Sequence, residues 1–284
     1  MGYILLTILL VWIIAVQSGC FAMRTSDAGW AKKLRGNGQS IAPLFLDIED
    51  INGRGIHAVV ISASDTLPLV VFVHGSPGSS DACLDYLSDR ALSQKARLVA
   101  IDRPGFGFTE GFGKPEPSLE AQAAAVHAIA KHLSPQQKVV LVGHSLGGAV
   151  IARFAIDYPE LTAGLLFVAG SVDPTQETHP WWETVVDTPP VKWLVPKSFW
   201  TSNAEIIPLE KELEKMLPLW PRITCPVSII HASNDGLVPV ANVEFVKKML
   251  VNCPGLNVEV LSDGGHFIFW SRQEQIKAAI RVLI

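Results

Sequence analysis

Short runs of apolar, mostly β-branched residues recur along the chain and set its organisation. Residues 69–74, 138–142 and 227–231 are unbroken enough to be strands buried on both faces, and 97–102, 164–169 and 257–261 extend the series. Ahead of them, 44–51 and 55–62 flank Asn52-Gly53, whose tolerance of left-handed backbone predicts a tight hairpin. Helices are expected over 81–93, over 118–133 with Ser118 as cap, and after Gly148. Strand and helix alternate, which predicts an α/β domain built on a mostly parallel, doubly wound, eight-stranded sheet. Residues 173–222 break the alternation. They hold Trp181, Trp182, Trp193, Trp200 and Trp220 with eight prolines, and are expected to form a small helical insertion.

The chemistry concentrates where strands end. Gly143-His144-Ser145-Leu146-Gly147 joins the 138–142 strand to a helix, and a serine between two glycines at such a turn has the form of a nucleophile elbow. A nucleophilic serine needs a base, a carboxylate to orient that base, and donors for the oxyanion. Asp235, in the Asn234-Asp235-Gly236 turn, and His266, after Gly264-Gly265, follow in that order, each in a loop after a strand. All three therefore belong at the carboxyl edge of a parallel sheet, where ligands bind. For the oxyanion, the Leu146 N–H is one donor. The second comes from His74-Gly75-Ser76-Pro77-Gly78, and Ser76 is chosen because Pro77 has no N–H.

From residue 44 to 284 the chain resembles the α/β-hydrolase fold family. Asp102-Arg103-Pro104-Gly105-Phe106-Gly107, Trp220-Pro221-Arg222-Ile223-Thr224-Cys225-Pro226 and Asp235-Gly236-Leu237-Val238-Pro239 match its turns in the correct order. The resemblance implies that 173–222 is a lid over the active site. It also implies that His74 and Gly75 hold the oxyanion loop, that His144 lines the pocket, and that Trp181 and Trp182 face the substrate. Asp173 is the rival acid, since some relatives place it after the sixth strand, and Asp102 is expected to brace its turn. Serine at the elbow argues against dehalogenase and epoxide hydrolase relatives, which use aspartate there. The implied activity is hydrolysis of a carboxylic ester of a small or medium acyl group, with no metal or organic cofactor. Acyl transfer and C–C bond hydrolysis use the same three side chains, and a silent binding module is the alternative outside catalysis.

A net charge of −4 without a basic patch argues against nucleic acid as a partner. Residues 1–23 are apolar apart from a few polar positions and admit two readings. In one, Ser18-Gly19-Cys20 resembles a bacterial lipobox, despite Gln17 where leucine is preferred, and Cys20 becomes lipid-modified. In the other, the segment is an uncleaved anchor. Both tether the enzyme to a membrane. A lipidated Cys20 places the domain on the periplasmic side, the side favoured here, whereas Arg24, Lys32, Lys33 and Arg35 after the segment argue for the cytoplasmic side. Residues 24–42, polar and glycine-containing, are expected to be a tether, with the hydrolase domain over 43–284. Cys83, Cys225 and Cys253 give no disulfide framework and are expected to be buried free thiols, although a 225–253 bridge is geometrically conceivable.

Overall fold

The computed structural model describes residues 2–18, 21–178 and 181–284, with the side chains of Trp182 and Glu183 outside that description. Eight strands, β1 (Leu44–Glu49), β2 (Gly55–Ile61), β3 (Leu69–Val73), β4 (Arg97–Ile101), β5 (Val139–His144), β6 (Thr162–Val168), β7 (Val227–Ala232) and β8 (Leu256–Leu261), form one sheet. Their order is β1-β2-β4-β3-β5-β6-β7-β8. β2 runs antiparallel to β1 and β4, and the remaining pairs are parallel. At the β1–β2 turn Gly53 takes a positive φ of 74°, and Asp50 Oδ1 accepts from the Asn52 N–H at 2.8 Å. The central strands β3, β4, β5 and β7 are buried along their length, which is why they read as unbroken apolar runs.

Helices cover both faces. Val126 and Ile129 of helix Leu119–Leu133, Val150 and Phe154 of helix Leu146–Asp157, and Trp220 fill one side. Tyr86, Phe269, Ile276 and Ile280 fill the other. From β3 the chain moves to β4 on one side and then crosses to β5 on the other. The direction of winding thus reverses between β3 and β5, and this opens a crevice at their carboxyl ends. Between β6 and β7 the chain forms helices Trp182–Val186, Val191–Leu194, Lys197–Ile206 and Leu209–Met216.

Two expectations are corrected. The helix expected over 81–93 is a 3-10 turn, Ser80–Cys83, followed by two short helices, Leu84–Leu87 and Arg90–Ser93. Two cap residues restart the backbone: Ser79 Oγ accepts from Asp81 N at 3.2 Å and Asp89 Oδ1 from Leu92 N at 2.7 Å. Residues 24–42 are not an extended tether. They contain the helix Asp27–Gly36, capped by Ser26, whose Trp30 and Leu34 lie one turn apart on the buried face, each 1% exposed. Just before it, the Arg24 guanidinium lies 4.6 Å and 4.4 Å from the ring centroids of Phe108 and Phe112. The packed unit therefore begins well before residue 43. Cys225 and Cys253 are free thiols, as expected, with Cys253 Sγ donating to the Cys225 carbonyl at 3.3 Å.

The amino-terminal helix Gly2–Gln17 carries no charged residue, and most of its apolar side chains are exposed. Its carboxyl half docks on the insertion, where Trp12 Nε1 donates to the Leu194 carbonyl at 3.0 Å and Gln17 Nε2 to that of Trp193 at 3.1 Å. Among the described residues, no helix is long and apolar enough to cross a membrane. Gly19 and Cys20 of the lipobox reading lie outside the described residues.

Burial of Trp30 makes a direct prediction. Trp30→Ala should lower unfolding free energy by about 3–5 kcal/mol, the cost of emptying a buried aromatic site. Urea titration checks it; an unchanged midpoint is what a loose tether would give.

Candidate active site

Ser145 sits at φ 54°, ψ −126°, between β5 and the helix Leu146–Asp157. A non-glycine residue in this region stores roughly 1–3 kcal/mol of strain. The turn is closed by backbone on both sides. A Cβ at Gly143 would lie 2.4 Å from the Gly147 carbonyl oxygen, and one at Gly147 would lie 2.2 Å from that of Val73. Val73 pairs in register with Gly143, so the loops after β3 and β5 leave the sheet at one level. Gly75 lies against the elbow, where a Cβ would come 2.9 Å from Ser145 Cβ.

The loops after β7 and β8 supply an acid and a base already paired. His266 Nδ1 donates to Asp235 Oδ2 at 2.8 Å, which leaves Nε2 with its lone pair. Asp235 Oδ1 accepts from Leu237 N and Val238 N, both at 2.9 Å. Burial by itself would raise the Asp235 pKa, but the His266 hydrogen bond and charge and these two amides hold it below the usual carboxylate value. His231, read only as a strand residue, supports the same loop. Its Nε2 donates to the Val238 carbonyl at 2.9 Å, and burial keeps its pKa low. Asp173 is turned to another task, since Oδ1 accepts from Thr175 N at 3.0 Å and Thr175 Oγ1 at 2.8 Å. Asp235 is therefore the carboxylate brought to His266.

These parts open on one cavity of about 850 Å³, lined by Ser145, Leu146, His266, His74, Gly75, Ser76 and His144. Among the described residues, His266 is hydrogen-bonded to Asp235 and His144 and not to Ser145 Oγ, and such a catalytic hydrogen bond tightens when substrate binds. His74 Nδ1 donates to Gly75 O at 2.7 Å, and Nε2 accepts from Arg103 N at 3.0 Å. Burial, aided by the Arg103 charge, drops the His74 pKa to about 3. His144 donates from Nε2 to the His266 carbonyl at 3.2 Å, and burial with the nearby His266 brings its pKa to about 3. Two neutral imidazoles thus brace the loops that carry Ser76 and His266. Among the described residues, no group of three or more His, Cys, Asp or Glu side chains is placed to hold a metal ion.

This architecture matches known proteins. Residues 70–279 fit the model of the alpha/beta hydrolase family. The chain belongs to that family. It is 25% identical over 275 residues to a 2-hydroxy-6-oxononadienedioate/2-hydroxy-6-oxononatrienedioate hydrolase from Pseudomonas sp., covering 83% of this chain and 94% of that one. Over 124 residues it is 30% identical to a 1-acylglycerol-3-phosphate O-acyltransferase from Arabidopsis thaliana, covering 42% of this chain and only 28% of that relative's length. Its fold superposes on a bacterial membrane phospholipase A with a TM-score of 0.67 and 19% identity, over 100% of this chain and 98% of the other. The chain spans about a third of the length of the acyltransferases that it matches, and nearly all of the Pseudomonas hydrolase.

The insertion contributes to this alpha/beta hydrolase site differently from the expectation. Trp181 is 79% exposed and is not part of the cavity wall, while the side chain of Trp182 lies outside the described residues. Trp220 is in the core, Trp193 is exposed, and Trp200 donates its indole N–H to Asp187 at 2.6 Å. The apolar wall comes instead from Phe199, Ile206 and Leu209 of the insertion, Phe267 and Trp270 after His266, and Met23 from the amino-terminal arm. Phe267 and Trp270 carried a signal in their closeness to His266. Met23 carried none, because long-range packing, with the Met23 carbonyl accepting from Ser79 Oγ 56 residues away, brings the arm to the cavity.

A second histidine–carboxylate pair braces the floor. His57 of β2, which matched no motif, lies with Nδ1 2.9 Å from Asp102 Oδ2 and Nε2 3.3 Å from Asp27 Oδ1. Asp102 also accepts from Ser80 N at 2.6 Å and Phe108 N at 2.8 Å, bracing its turn. Burial lowers the His57 pKa, but the Asp102 hydrogen bond and the charges of Asp102, Asp27 and Asp47 outweigh it and leave it raised. A raised folded-state value contributes stability that is complete below the unfolded pKa of about 6.5 and is lost as pH rises through the folded value. His57→Gln should therefore destabilise more at about pH 6 than at about pH 9. Urea unfolding at both pH values checks this, and an equal loss at each would contradict it.

Proposed function

We propose that this alpha/beta hydrolase cleaves a carboxylic ester of a small or medium acyl group through Ser145, His266 and Asp235. The observation that carries the reading is the 2.8 Å Asp235–His266 hydrogen bond, placed at the cavity that Ser145 also lines. His266 Nε2 takes the Ser145 proton as Oγ attacks the ester carbonyl. Asp235, held anionic, fixes the imidazole tautomer and stabilises the imidazolium. The N–H groups of Leu146 and Ser76 bind the oxyanion, each such donor being worth roughly 3–4 kcal/mol. His266 returns the proton to the leaving alcohol, then activates the water that releases the acid. An apolar wall of Phe199, Ile206, Leu209 and Phe267 suits an acyl chain.

Acyl transfer is the second reading, favoured by the partial similarity to the Arabidopsis acyltransferase. Turnover of p-nitrophenyl esters of graded chain length, with and without a competing alcohol, separates the two. Hydrolysis should yield free acid as the main product, and Ser145→Ala should lose essentially all turnover. Asp235→Asn should lower kcat by about 10³–10⁴-fold by favouring the wrong tautomer. Full activity in Ser145→Ala would remove the serine mechanism.

We also propose that the chain is held at a membrane by its amino-terminal segment: by the helix itself if it is retained, or by lipid on Cys20, with the domain on the periplasmic side, if the helix is removed. Ile4, Leu6, Ile8, Leu10 and Ile14 are exposed on this uncharged helix, an apolar surface suited to lipid wherever the insertion does not cover it. At 1.5 Å per residue the helix is roughly 24 Å long, shorter than the ~30 Å hydrocarbon core. The full chain should float with phospholipid vesicles, whereas Leu6→Asp/Leu10→Asp should not, with hydrolysis of a soluble ester unchanged in both.

A further inference from the structure

Helix Lys197–Ile206 of the insertion places a carboxylate under the oxyanion loop. Glu205 and Arg103 are both fully buried and form a two-pronged ion pair, with Nη1 donating to Oε2 at 2.9 Å and Nη2 to Oε1 at 2.8 Å. Gln122 Nε2 donates to the same carboxylate at 3.2 Å, and Ser76 Oγ donates to Oε1 while lying 2.8 Å from Ser202 Oγ. Arg103, Gln122 and Ser76, which hold the Glu205 carboxylate, thus belong to the sheet side of the site, whereas Glu205 and Ser202 belong to the insertion.

Besides the ion pair and a bond from Nη1 to Gln122 Oε1, the Arg103 guanidinium makes two bonds to the oxyanion loop. Nε donates to His74 O at 2.9 Å and Nη2 to Gly75 O at 3.0 Å. His74 Nδ1 donates to that same Gly75 oxygen at 2.7 Å. Gly75 C=O and Ser76 N–H are the two ends of one planar peptide unit, so fixing the oxygen with two donors fixes the direction of the N–H. Donation to the carbonyl also polarises the unit and strengthens its N–H as a donor. Glu205 holds Arg103 in place from one side and the Ser76 hydroxyl from the other.

We infer that Glu205 is a positioning residue: through Arg103 and Ser76 Oγ it orients the Gly75–Ser76 peptide toward the oxyanion, and so ties the insertion to the catalytic loop. This rests on the serine-hydrolase reading above. It predicts a loss confined to the transition state, because the oxyanion forms only there. The alternative, a buried ion pair that merely stabilises the fold, predicts a loss of stability with kcat restored when stability is restored.

The test uses the full chain and three variants. Glu205→Gln keeps the shape but removes the charge. Its kcat on a p-nitrophenyl ester should fall by about tenfold to a hundredfold, the range for a misplaced catalytic group, with KM within about twofold. Affinity for a trifluoromethyl ketone, which becomes an oxyanion on addition of Ser145 Oγ to its carbonyl carbon with the proton passing to His266, should fall in parallel. Affinity for the corresponding unreactive amide should not. Arg103→Met/Glu205→Leu removes the ion pair without leaving a lone buried charge, which covers the case in which Glu205→Gln does not fold. It should melt as the parent does yet keep the low kcat. Recovery of kcat together with melting temperature in the double variant, or an unchanged kcat in Glu205→Gln, would overturn the inference. Ser145→Ala separates the two levels: if it is inactive while Glu205→Gln is unimpaired, only the positioning role falls, and if it is active, the serine reading falls as well.

Discussion

The close approach of backbone at Gly147 and Val73 is the constraint on which the rest of the site depends. A Cβ at Gly147 would lie 2.2 Å from the Val73 oxygen, and one at Gly143 would lie 2.4 Å from the Gly147 oxygen. Only bare backbone at these positions lets the first turn of helix Leu146–Asp157 settle against the end of β3. That contact brings the unpaired N–H groups of a helix start beside the loop carrying Ser76. It also forces Ser145 into its positive-φ conformation, with the strain held by strands buried on both sides. The reversal of winding between β3 and β5 puts this turn at the one place in the sheet where a crevice opens.

Charge around the cavity is sorted with economy. His74, His144 and His231 are kept neutral by burial and serve as braces, each ring donating to a backbone carbonyl. Asp235 is the anion, stabilised by two amides as well as by His266. The buried cation Arg103 is neutralised by Glu205 from the insertion. Electrostatic support for the site is therefore contributed from both of its halves, and the insertion is bound to the sheet by polar contacts as well as by the apolar wall.

The strands were legible because burial on both faces leaves an unbroken apolar run, and the order Ser145, Asp235, His266 was legible because each lies at a strand end. What failed had physical reasons. Trp30 and Leu34 are two apolar residues in a polar stretch, too few to outweigh its composition, yet one turn apart and both in the core. The insertion's tryptophans signalled large apolar surface without its direction, and Trp220 went to the core while Trp181 went to solvent. Glu205 occupies a helix position where a carboxylate is ordinarily solvated. Its burial depends on Arg103, 102 residues away in the chain, and no local pattern encodes that pairing. Met23 reaches the cavity the same way, through an arm whose contacts to Ser79 and Asp81 are all long-range.

The most direct test of the account is covalent labelling of the full chain with a fluorophosphonate, followed by intact mass and peptide mapping. The account predicts one adduct per chain, carried by Ser145. A folded protein that takes no label, or takes it at another residue, would contradict the claim that the elbow serine is the activated nucleophile.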